Sequence, residues 1–435
     1  MRILMTMYQI QDYGGIINHV EFLAQGLKEL GHEVDFRMLI PRDKYTPMRK
    51  LPKDIREYTT KLEGTGYPHH QARGWIRVPK IPYLSSYHRK NFVHDMGKYD
   101  AVLWHIPVPT LNKDNEGVKE WLELYDNGTK NIAIIHDGNL PHLYPHLAKV
   151  SKHFIGSVCV HNSAYESSAK MDLPRTMICN PFDVTQENLN SFEERTGLVA
   201  VQIFKAWKRM DTLVRAISYM KNEQSKIVGG AGIEYRYMTS KDKCKEKYFE
   251  PDGTRIWDNA LEHGMHYAGV LPNEKVFSIL KNARVQIDPS WSVKYSGFGS
   301  HFNRTTVEAI ICGAVPMATD LGMIASSQKV KHPFHSQGDK QNYIQIPHDS
   351  TPQEFADIVD DAVTVKVRWL KLQENGKQIL PQFDKVNVAQ KYIDFINGGY
   401  EKTDKGEVDD LVFQKCNKNL QFFNIDPIEP KNDSV

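Results

Sequence analysis

The segment between Ser296 and Gly322 combines a loop of small residues with one acid in a predicted apolar helix, Thr305 to Cys312. The loop consists of Ser296, Gly297, Phe298 and Gly299. Because glycine has no side chain, its backbone amides are open to close approach by a ligand. Glu308 lies in the helix, where a carboxylate is rarely buried without a partner. Backbone amides can donate to phosphate oxygens, and a carboxylate can accept from ribose hydroxyls, so the segment indicates a nucleotide site. The alternative is a surface helix in which Glu308 faces water.

Two lysines and two glycines stand at other positions that suit a phosphate-bearing ligand. Lys205 and Lys208 follow a predicted strand, Leu198 to Phe204, and precede a predicted helix. Cations at the start of a helix oppose the helix dipole, so this loop indicates an anion; two exposed lysines without a ligand are the alternative. Gly14 and Gly15 end the loop after the first predicted strand, at the edge where open α/β sheets bind ligands.

A polar pair, His136 and Asp137, follows the predicted strand that begins at Asn131. Two polar groups at the end of a buried strand have no packing role, so we interpret them as catalytic residues. Two roles stay open for Asp137, a general base or a group that only positions an acceptor hydroxyl. The lone His19 on the first predicted helix is interpreted as a packed histidine. We predict no metal site, because the five cysteines lack the spacing of metal ligands.

Residues 42–90 contain twelve lysines and arginines against four acids, with tyrosines and a tryptophan between them. Such a segment suits a polyanion, because cations displace counterions and aromatic rings stack or wedge against bases. The candidate DNA-binding residues are Arg42, Lys44, Arg49, Lys50, Arg73, Trp75, Arg77, Arg89 and Lys90. A solvated irregular insertion is the alternative.

Strands and helices that alternate along the chain position these residues. The N-terminal strand, helix and strand open a parallel sheet, and the pattern restarts at Leu198. The sequence therefore predicts an α/β fold of two Rossmann-like domains facing each other across a cleft. We place an acceptor-binding domain at residues 1–184 and a nucleotide-sugar-binding domain at residues 185–384. A helix and polar tail follow at residues 385–435, and a return of this segment to the first domain stays open.

Length and composition set further bounds. The chain has 435 residues, which is more than one ordinary hydrophobic core holds. Its formal net charge is +2. No run of about 18 apolar residues is present, and the N-terminal MRILMTM is not typical of a signal peptide. We therefore expect no transmembrane segment, a reducing cytoplasmic location and a monomer.

Four segments together resemble a known family. They are YGGIINHVEFLAQGLKELGHEV, VQIFKAWKRMDTLVRAI, YAGVLPNEKVFSILKNARVQIDPS and SGFG with EAIICGAVPMATD, in that order. As a set they resemble the retaining glycosyltransferases of the GT-B fold. The DAVLWHIPVPT and IIHD strand ends, the Trp207-Lys208 loop and the insertion after SGFG resemble more closely the DNA α-glucosyltransferases of T-even bacteriophages.

The resemblance implies a role for each donor residue. It implies that Lys205 and Lys208 hold the donor diphosphate, which Gly14 and Gly15 approach from the other domain. It also implies that Glu308 holds the ribose beside the Ser296–Gly299 loop, and that the backbone around Gly269 frames the nucleobase. For the acceptor, it implies that His136 and Asp137 lie near the anomeric carbon.

Two departures from the family pattern bear on these roles. The wider family has an acid where this chain has Ser296, so the sugar is left open. The spacing from Ser296 to Glu308 is also longer than in the family, which leaves the role of Glu308 open.

From this resemblance we expect transfer of a sugar from a UDP-linked donor onto a 5-hydroxymethylcytosine-type base in double-stranded phage DNA, with retention. A phage-encoded chain would act in the host cytoplasm, with the UDP-sugar as donor substrate and without a required cofactor; nothing in the sequence indicates a divalent cation. Two alternatives stay open. One is a retaining glycosyltransferase for a bacterial glycan, lipid or small molecule, and the other is a non-catalytic protein that binds nucleotide-sugar or DNA.

Overall fold

The computed structural model describes much of the chain as two compact units. The described residues are 1–7, 15–38, 96–105, 125–136, 151–161, 164–165, 168, 173–186, 189–221, 224–230, 233–240, 246–290, 304–319 and 333–398. Among them, the first unit takes residues up to Val184 and again from Pro381, and the second unit takes Thr185 to Leu380.

The first unit contains a six-stranded parallel sheet. Its strands are β1 (Arg2–Met7), β2 (Glu33–Met38), β3 (Ala101–His105), β4 (Lys130–Ile135), β5 (Gly156–Cys159) and β6 (Arg175–Met177). Their order across the sheet is β2-β1-β3-β4-β5-β6, so β1 and β3 are neighbours and the direction of chain progress reverses between them. All five residues of β3 are buried, as expected for a parallel strand covered on both faces.

Two helices pack together in the first unit, α1 (Gly15–Glu29) and a C-terminal helix, Lys385–Ile396. Leu23, Ala24 and Leu27 of α1 belong to the same buried cluster as Val388 and Ala389 of the C-terminal helix. Gly26 permits the close approach, because a Cβ there would lie 2.1 Å from the carbonyl oxygen of Lys385. The helix that begins at Lys385 is therefore part of the first unit.

The second unit repeats the architecture. Its strands are β7 (Leu198–Ile203), β8 (Ser225–Gly230), β9 (Met265–Gly269), β10 (Val285–Asp288), β11 (Val315–Ala318) and β12 (Ile344–Gln345). They lie in the order β12-β11-β10-β7-β8-β9, and all the paired strands are parallel. The reversal in this sheet falls between β7 and β10.

Helices accompany the second sheet. In chain order they are α2 (Met210–Ile217), α3 (Ile233–Thr239), α4 (Ile256–Glu262), α5 (Asn273–Asn282), α6 (Arg304–Ile311), α7 (Pro352–Thr364) and α8 (Lys366–Ile379), and the C-terminal helix of the first unit is α9. The run Thr351-Pro352-Gln353-Glu354 predicts a capping box at the start of a helix. It is confirmed at α7, where Thr351 and Glu354 exchange hydrogen bonds and Pro352 is the first helical residue. Gly313 follows α6 with a φ of 78°, the left-handed conformation in which glycine commonly ends a helix.

Two local predictions are wrong. The sequence predicts an irregular excursion over residues 235–259, but α3 and α4 begin or end within it. Aromatic packing explains why helices form there, because Tyr235 of α3 and Trp257 of α4 pack against Phe204 at ring-centroid distances of 5.6 and 5.9 Å. The sequence also predicts Asn273 as the cap of α5, but Asn273 is the first helical residue and Pro272 precedes it as the cap.

The predicted class, an α/β fold of two Rossmann-like parallel sheets, is confirmed. Within the ranges given above, no helix combines the length and the apolar character required to cross a membrane.

Candidate functional site

Open parallel sheets bind ligands outside the carboxyl ends of their strands, at the point where strand order reverses. In the second unit this point lies between β7 and β10, which are joined by a side-chain bond as well as by the backbone ladder. Gln202 near the end of β7 donates from Nε2 to Oδ1 of Asp288, the last residue of β10, at 2.7 Å. The reversal point is therefore held by a buried polar contact.

Two lysines follow β7 at this edge. Residues 206–208 form a single 3-10 turn, in which the Lys205 ammonium lies 4.7 Å from the centre of the Trp207 ring and Lys208 is half-buried. Burial lowers the pKa of the Lys208 ammonium, Asp288 opposes that shift and Lys205 adds to it. A desolvated cation with a second cation beside it is an arrangement that an anionic ligand would stabilise.

The turn ends in a strained residue. Arg209 has a φ of 48°, in the left-handed region, and is the only residue other than glycine with a positive φ among the described residues. Its guanidinium donates from Nη1 to the carbonyl oxygen of His348 at 2.8 Å, which anchors the turn before α2 begins. Such strain persists only where the surrounding structure holds it, and it is common at ligand-binding sites.

Asp288 is bound from several sides. Beside Gln202, the backbone N–H of Ser290 donates to Asp288 Oδ1 at 3.1 Å and the Ser290 hydroxyl donates to the same oxygen. The Thr319 hydroxyl, after β11, donates to the carbonyl oxygen of Ser290. The carboxylate that faces Lys208 thus has a fixed position on three neighbouring strand ends.

Glu308 on α6 does not face water, since only 12% of its side chain is exposed. Its Oε1 lies 3.8 Å from Nε of Arg304, one turn earlier on the helix. Burial raises the pKa of the Glu308 carboxyl, and Arg304 opposes that shift. A mostly buried acid of this kind can accept hydrogen bonds from a polar ligand at low cost in desolvation.

Backbone shape at the end of β8 depends on glycine. Gly229 and Gly230 have φ values of 120° and 132°, and a Cβ on Gly229 would lie 1.9 Å from the Gln202 carbonyl oxygen. The hydroxyl of Tyr267 on β9 donates to the carbonyl oxygen of Gly229 at 2.6 Å. Gly269, at the end of β9, has a φ of 68° and open space where a Cβ would point. Its backbone can therefore be approached closely.

Histidines gather at the corresponding edge of the first sheet. His105 ends β3, His136 follows β4, and His19 comes from α1. Nδ1 of His105 lies 3.0 Å from Nε2 of His136, and the His19 ring makes edge-on contacts with both, at centroid distances of 5.4 and 4.8 Å. Burial, and then His19, hold the pKa of His105 well below its ordinary value. We refer to these three residues as the histidine cluster.

Three histidines with ring nitrogens within 4.8 Å of one another are a group that could in principle hold a metal ion. The hydrogen bonds do not fit that use. Nδ1 of His19 is bonded to Asn180 Oδ1 at 2.8 Å and its Nε2 to the Tyr392 hydroxyl at 3.2 Å. Since Nδ1 of His105 and Nε2 of His136 are also bonded to each other, a metal ion would have to replace these hydrogen bonds.

Some of the sequence-predicted site residues lie within the described ranges, and others lie outside them. Lys205, Lys208 and Glu308 lie in the second unit, and His136 lies in the first unit beside the packed His19. Of the others, Gly15 is described only as the first residue of α1. The predicted residues outside the described ranges are Gly14, Asp137, Ser296, Gly297, Phe298, Gly299 and all the candidates between Arg42 and Lys90.

Sequence reasoning missed His105 and Asp288, although both end predicted strands. His105 closes the DAVLWH segment and Asp288 closes VQID. Each was assigned to its strand and given no role, because a strand end shows nothing of its neighbours until the strand order is known. Once β3 and β4 are known to be neighbours, their carboxyl ends place His105 beside His136.

Comparison with known proteins identifies the fold. No protein-family model matches the chain. A sequence comparison with characterised proteins also finds no match.

Solved structures do match. HepE from Anabaena, solved with UDP and glucose, is 12% identical, with 92% of this chain and 100% of that chain covered and a TM-score of 0.58. The lipopolysaccharide outer core galactosyltransferase WaaB is 11% identical, with coverage of 92% and 100% and a TM-score of 0.56. An α-glucosyltransferase solved with UDP and a mismatched 13-mer DNA is 11% identical, with coverage of 91% and 99% and a TM-score of 0.58.

The chain has the GT-B fold. The match extends over more than nine-tenths of this chain and nearly all of each neighbour, so both Rossmann-like units are included. At these identities the likeness shows the GT-B architecture alone, and the chemistry has to be argued from the residues at the two sheet edges.

Proposed function

We propose that the chain is a glycosyltransferase that moves a sugar from a UDP-linked donor onto the hydroxyl of a 5-hydroxymethylcytosine-type base in DNA, with retention. The observation that carries the proposal is the edge of the second sheet, where half-buried Lys208 faces fixed Asp288 at the point of strand reversal. The fold supports it, because the neighbours solved with UDP share the GT-B architecture.

The donor half of the proposal follows from charge. When the glycosidic bond to a nucleoside diphosphate breaks, negative charge grows on the departing phosphate, and a fixed cation stabilises it. Lys208 is a suitable cation because it is already partly desolvated and its turn is anchored through Arg209. Lys205 adds charge from an exposed position.

Glu308 supplies the second donor contact in this proposal. A mostly buried carboxylate near the end of the sheet suits the two hydroxyls of a ribose, which donate hydrogen bonds to it. The open backbone at Gly269 suits the edge of a nucleobase. Together these groups make the second unit the donor unit.

The acceptor half is assigned to the first unit. His136, at the carboxyl end of β4, is the polar group proposed to contact the acceptor hydroxyl, with Asp137 after it. The basic, aromatic segment at residues 42–90 is proposed to grip DNA phosphates, with Trp75 as the wedge that a flipped base requires. The neighbour solved with DNA has the same fold, which supports a DNA acceptor.

A glycan acceptor is the second candidate. It is favoured by the similarity to a lipopolysaccharide galactosyltransferase, which matches as fully as the DNA-bound neighbour. In that case the basic segment would face an acidic glycan or membrane surface.

A panel of labelled UDP-sugars separates these candidates. Each donor is incubated with the full chain and with hydroxymethylcytosine DNA, unmodified DNA of the same sequence, or a glycan mixture. Label that enters only the modified DNA supports the proposal, whereas label that enters only the glycan replaces it with the second candidate. Donor binding without transfer or hydrolysis would identify a non-catalytic protein.

Salt dependence tests the DNA contact separately. Phosphate gripping by the basic segment requires the affinity for duplex DNA to fall steeply as salt increases, because bound counterions are released. The control is Lys208→Met, which should leave the DNA affinity unchanged while donor kcat/KM falls about 100- to 1000-fold. DNA affinity that is independent of salt would contradict the assigned DNA-binding residues.

A further inference from the structure

Glu308 lies near the C-terminal end of α6, where helix carbonyl groups lack partners within the helix. Its own carbonyl oxygen accepts from the N–H of Cys312 at 3.0 Å, so the acid stands in the last turn. The carbonyl groups of Ile310, Ile311 and Cys312 accept hydrogen bonds from side chains 117 to 125 positions earlier in the sequence. The turn that carries Glu308 is therefore held by side chains from another segment.

The donors are Gln186 and Arg195, which belong to the first residues of the second unit, before β7 begins. Nε2 of Gln186 donates to the carbonyl oxygen of Ile310 at 2.9 Å and to that of Ile311 at 3.3 Å. Nη2 of Arg195 donates to the carbonyl oxygen of Cys312 at 2.8 Å. Two side chains of one segment thus satisfy consecutive carbonyl groups at the end of α6.

Further contacts fix the guanidinium of Arg195, which is completely buried. Its Nε donates to the carbonyl oxygen of Asn190 at 2.9 Å, and its Nη1 to that of Ala283, just after α5, at 3.1 Å. In the described part of the chain, all of its hydrogen bonds go to main-chain carbonyl oxygens. Burial lowers the pKa of Arg195 to about 10, so the guanidinium stays charged at neutral pH. The carbonyl dipoles at the ends of α5 and α6 stabilise that charge.

Gly313 leaves the space that the guanidinium occupies. A Cβ at this position would lie 2.5 Å from Nη2 of Arg195. Because the donors of a guanidinium form a rigid planar fork, the bonds to α5 and α6 fix the ends of these helices relative to each other. A shift of the turn that carries Glu308 would break hydrogen bonds of a buried charge, which costs more than breaking those of a neutral group.

We propose that Arg195, assisted by Gln186, is a positioning residue that holds the last turn of α6, so that the Glu308 carboxylate stays in place for both hydroxyls of a ribose. The role of Glu308 in this inference rests on the proposed function. Arg195 and Gln186 act through the main chain of α6 and not by contact with the nucleotide. The ligand class selected in this way is a ribonucleotide in preference to a 2′-deoxyribonucleotide, because only the former offers both hydroxyls.

Calorimetric binding of UDP and of 2′-deoxy-UDP to the full chain tests the inference without any acceptor. The ratio of the two Kd values reports the bond between Glu308 and the 2′-hydroxyl, and a general loss of affinity leaves it unchanged. We expect the original chain to bind UDP at least about tenfold more tightly, as is typical of a hydrogen bond to a charged group. Glu308→Gln should reduce the ratio to about threefold, because the remaining acceptor is neutral.

Arg195→Met should also reduce the ratio to about threefold, and Gln186→Leu to about fivefold, since each variant releases part of the turn. Gln186→Leu removes two hydrogen bonds and no charge, so it still tests the inference if Arg195→Met does not fold. A ratio that stays at the original value in Gln186→Leu and in folded Arg195→Met overturns the inference. An original chain that binds both nucleotides equally overturns it as well, because Glu308 then does not contact the 2′-hydroxyl.

Arg284→Met is the matched control. Arg284 lies in the same unit and donates to the carbonyl oxygens of Phe192 and Val363, neither of which belongs to α6. Both arginine variants should lower the melting temperature, and only Arg195→Met should change the ratio. Equal changes of the ratio in both variants would show a general effect of lost stability and overturn the inference.

Hydrogen exchange of the chain without nucleotide separates the inference from the proposed function. We expect the amides of α6 to exchange about tenfold faster in Arg195→Met and Gln186→Leu than in the original chain, and Arg284→Met to leave them unchanged. Unchanged exchange of α6 in the first two variants overturns the holding role. A chain that binds neither nucleotide overturns the proposed function, while the exchange rates still decide whether Arg195 and Gln186 hold α6.

Discussion

Both sheets are parallel and reverse strand order once, but the polar groups at their carboxyl edges differ in charge. The edge of the second sheet carries Lys208, Asp288 and Glu308, all of them partly or fully withdrawn from water. The edge of the first sheet carries the histidine cluster, in which His105 is bonded to His136 and His19 is bonded to Asn180 and Tyr392.

Under the proposed function, this difference lets one fold serve two tasks. Partly buried charges cost stability when no ligand is bound, and they are kept where a ligand of opposite charge or with many hydroxyls can satisfy them. A network of neutral hydrogen bonds costs less and serves to orient groups without attracting ions. In the proposed function, the charged edge binds the nucleotide and the histidine edge contacts the acceptor hydroxyl.

The charge at the second edge is tested most severely by Lys208→Met. We expect donor kcat/KM to fall about 100- to 1000-fold, which is typical when one stabilising group is removed from a developing charge. The melting temperature should not fall, because burial lowers the pKa of Lys208 and the charged ammonium therefore costs stability in the folded state.

Lys205→Met is the matched control, because Lys205 is exposed in the same turn. We expect a loss of less than about tenfold from this change. Equal losses from both variants would break the contrast between a desolvated and a solvated cation.

Gly229→Ala tests the backbone shape at the same edge. The added Cβ would lie 1.9 Å from the Gln202 carbonyl at a φ of 120°, so β7 and β8 must separate, at a cost of about 3 kcal/mol in unfolding free energy. Gly253→Ala has a comparable φ of 86° with nothing within 4 Å and should cost only about 1 kcal/mol. Chemical denaturation measures both, and equal costs would show that the contact with Gln202 is unimportant.

Glu308→Gln should change two measured quantities, the KM for the donor and the pH dependence of the free energy of unfolding. Donor KM should rise about tenfold, since an amide replaces one of the two acceptor oxygens. Because burial raises the pKa of Glu308 above its ordinary 4.5, the folded state binds this proton more tightly than the unfolded state, and stability is lost as pH rises through the folded pKa.

The glutamine variant should therefore lose less stability than the original chain as the pH rises from about 4.5 to neutrality. Denaturant unfolding at several pH values measures this difference. Glu274→Gln, at an exposed position on α5, is the control. A pH dependence that is the same in the original chain and in Glu308→Gln would contradict the burial of the acid.

The histidine edge predicts the smallest effect, in the opposite pH direction. His105 has a pKa well below 6.5 in the folded chain, so the unfolded chain takes up the proton first. Stability should fall as pH drops below about 6.5, by up to roughly 1.4 kcal/mol per pH unit. His105→Asn should flatten that slope between about pH 7 and pH 5, and an unchanged slope would show that another group causes it.

Periodicity predicted most of this fold and much less of the site. Strands such as Ala101–His105 are continuous apolar runs, and α1 shows its apolar stripe plainly, so both were predicted with small errors at their ends. The sequence does not predict α3 and α4, because these segments are mostly polar and lack a clear apolar stripe. Their aromatic contacts, such as that of Tyr235 with Tyr267, form only when β9 lies beside β8.

The site residues divide in the same way. Lys208 and Glu308 could be selected from residue type and local context. His105 and Asp288 could not, because their partners are distant in sequence: Asp288 is bonded to Gln202, 86 positions away, and His105 to His136, 31 positions away. Contacts of that kind depend on strand order, which local patterns do not contain.

The packing of α9 against α1 has a consequence for biosynthesis. The first unit lacks α9 until the ribosome has also made Thr185 to Leu380 of the second unit. Roughly 360 residues separate Leu23 and Leu27 from α9, so at 5 to 20 residues per second the apolar stripe of α1 lacks this covering helix for about 18 to 72 s. During that interval the nascent chain offers a binding surface to chaperones.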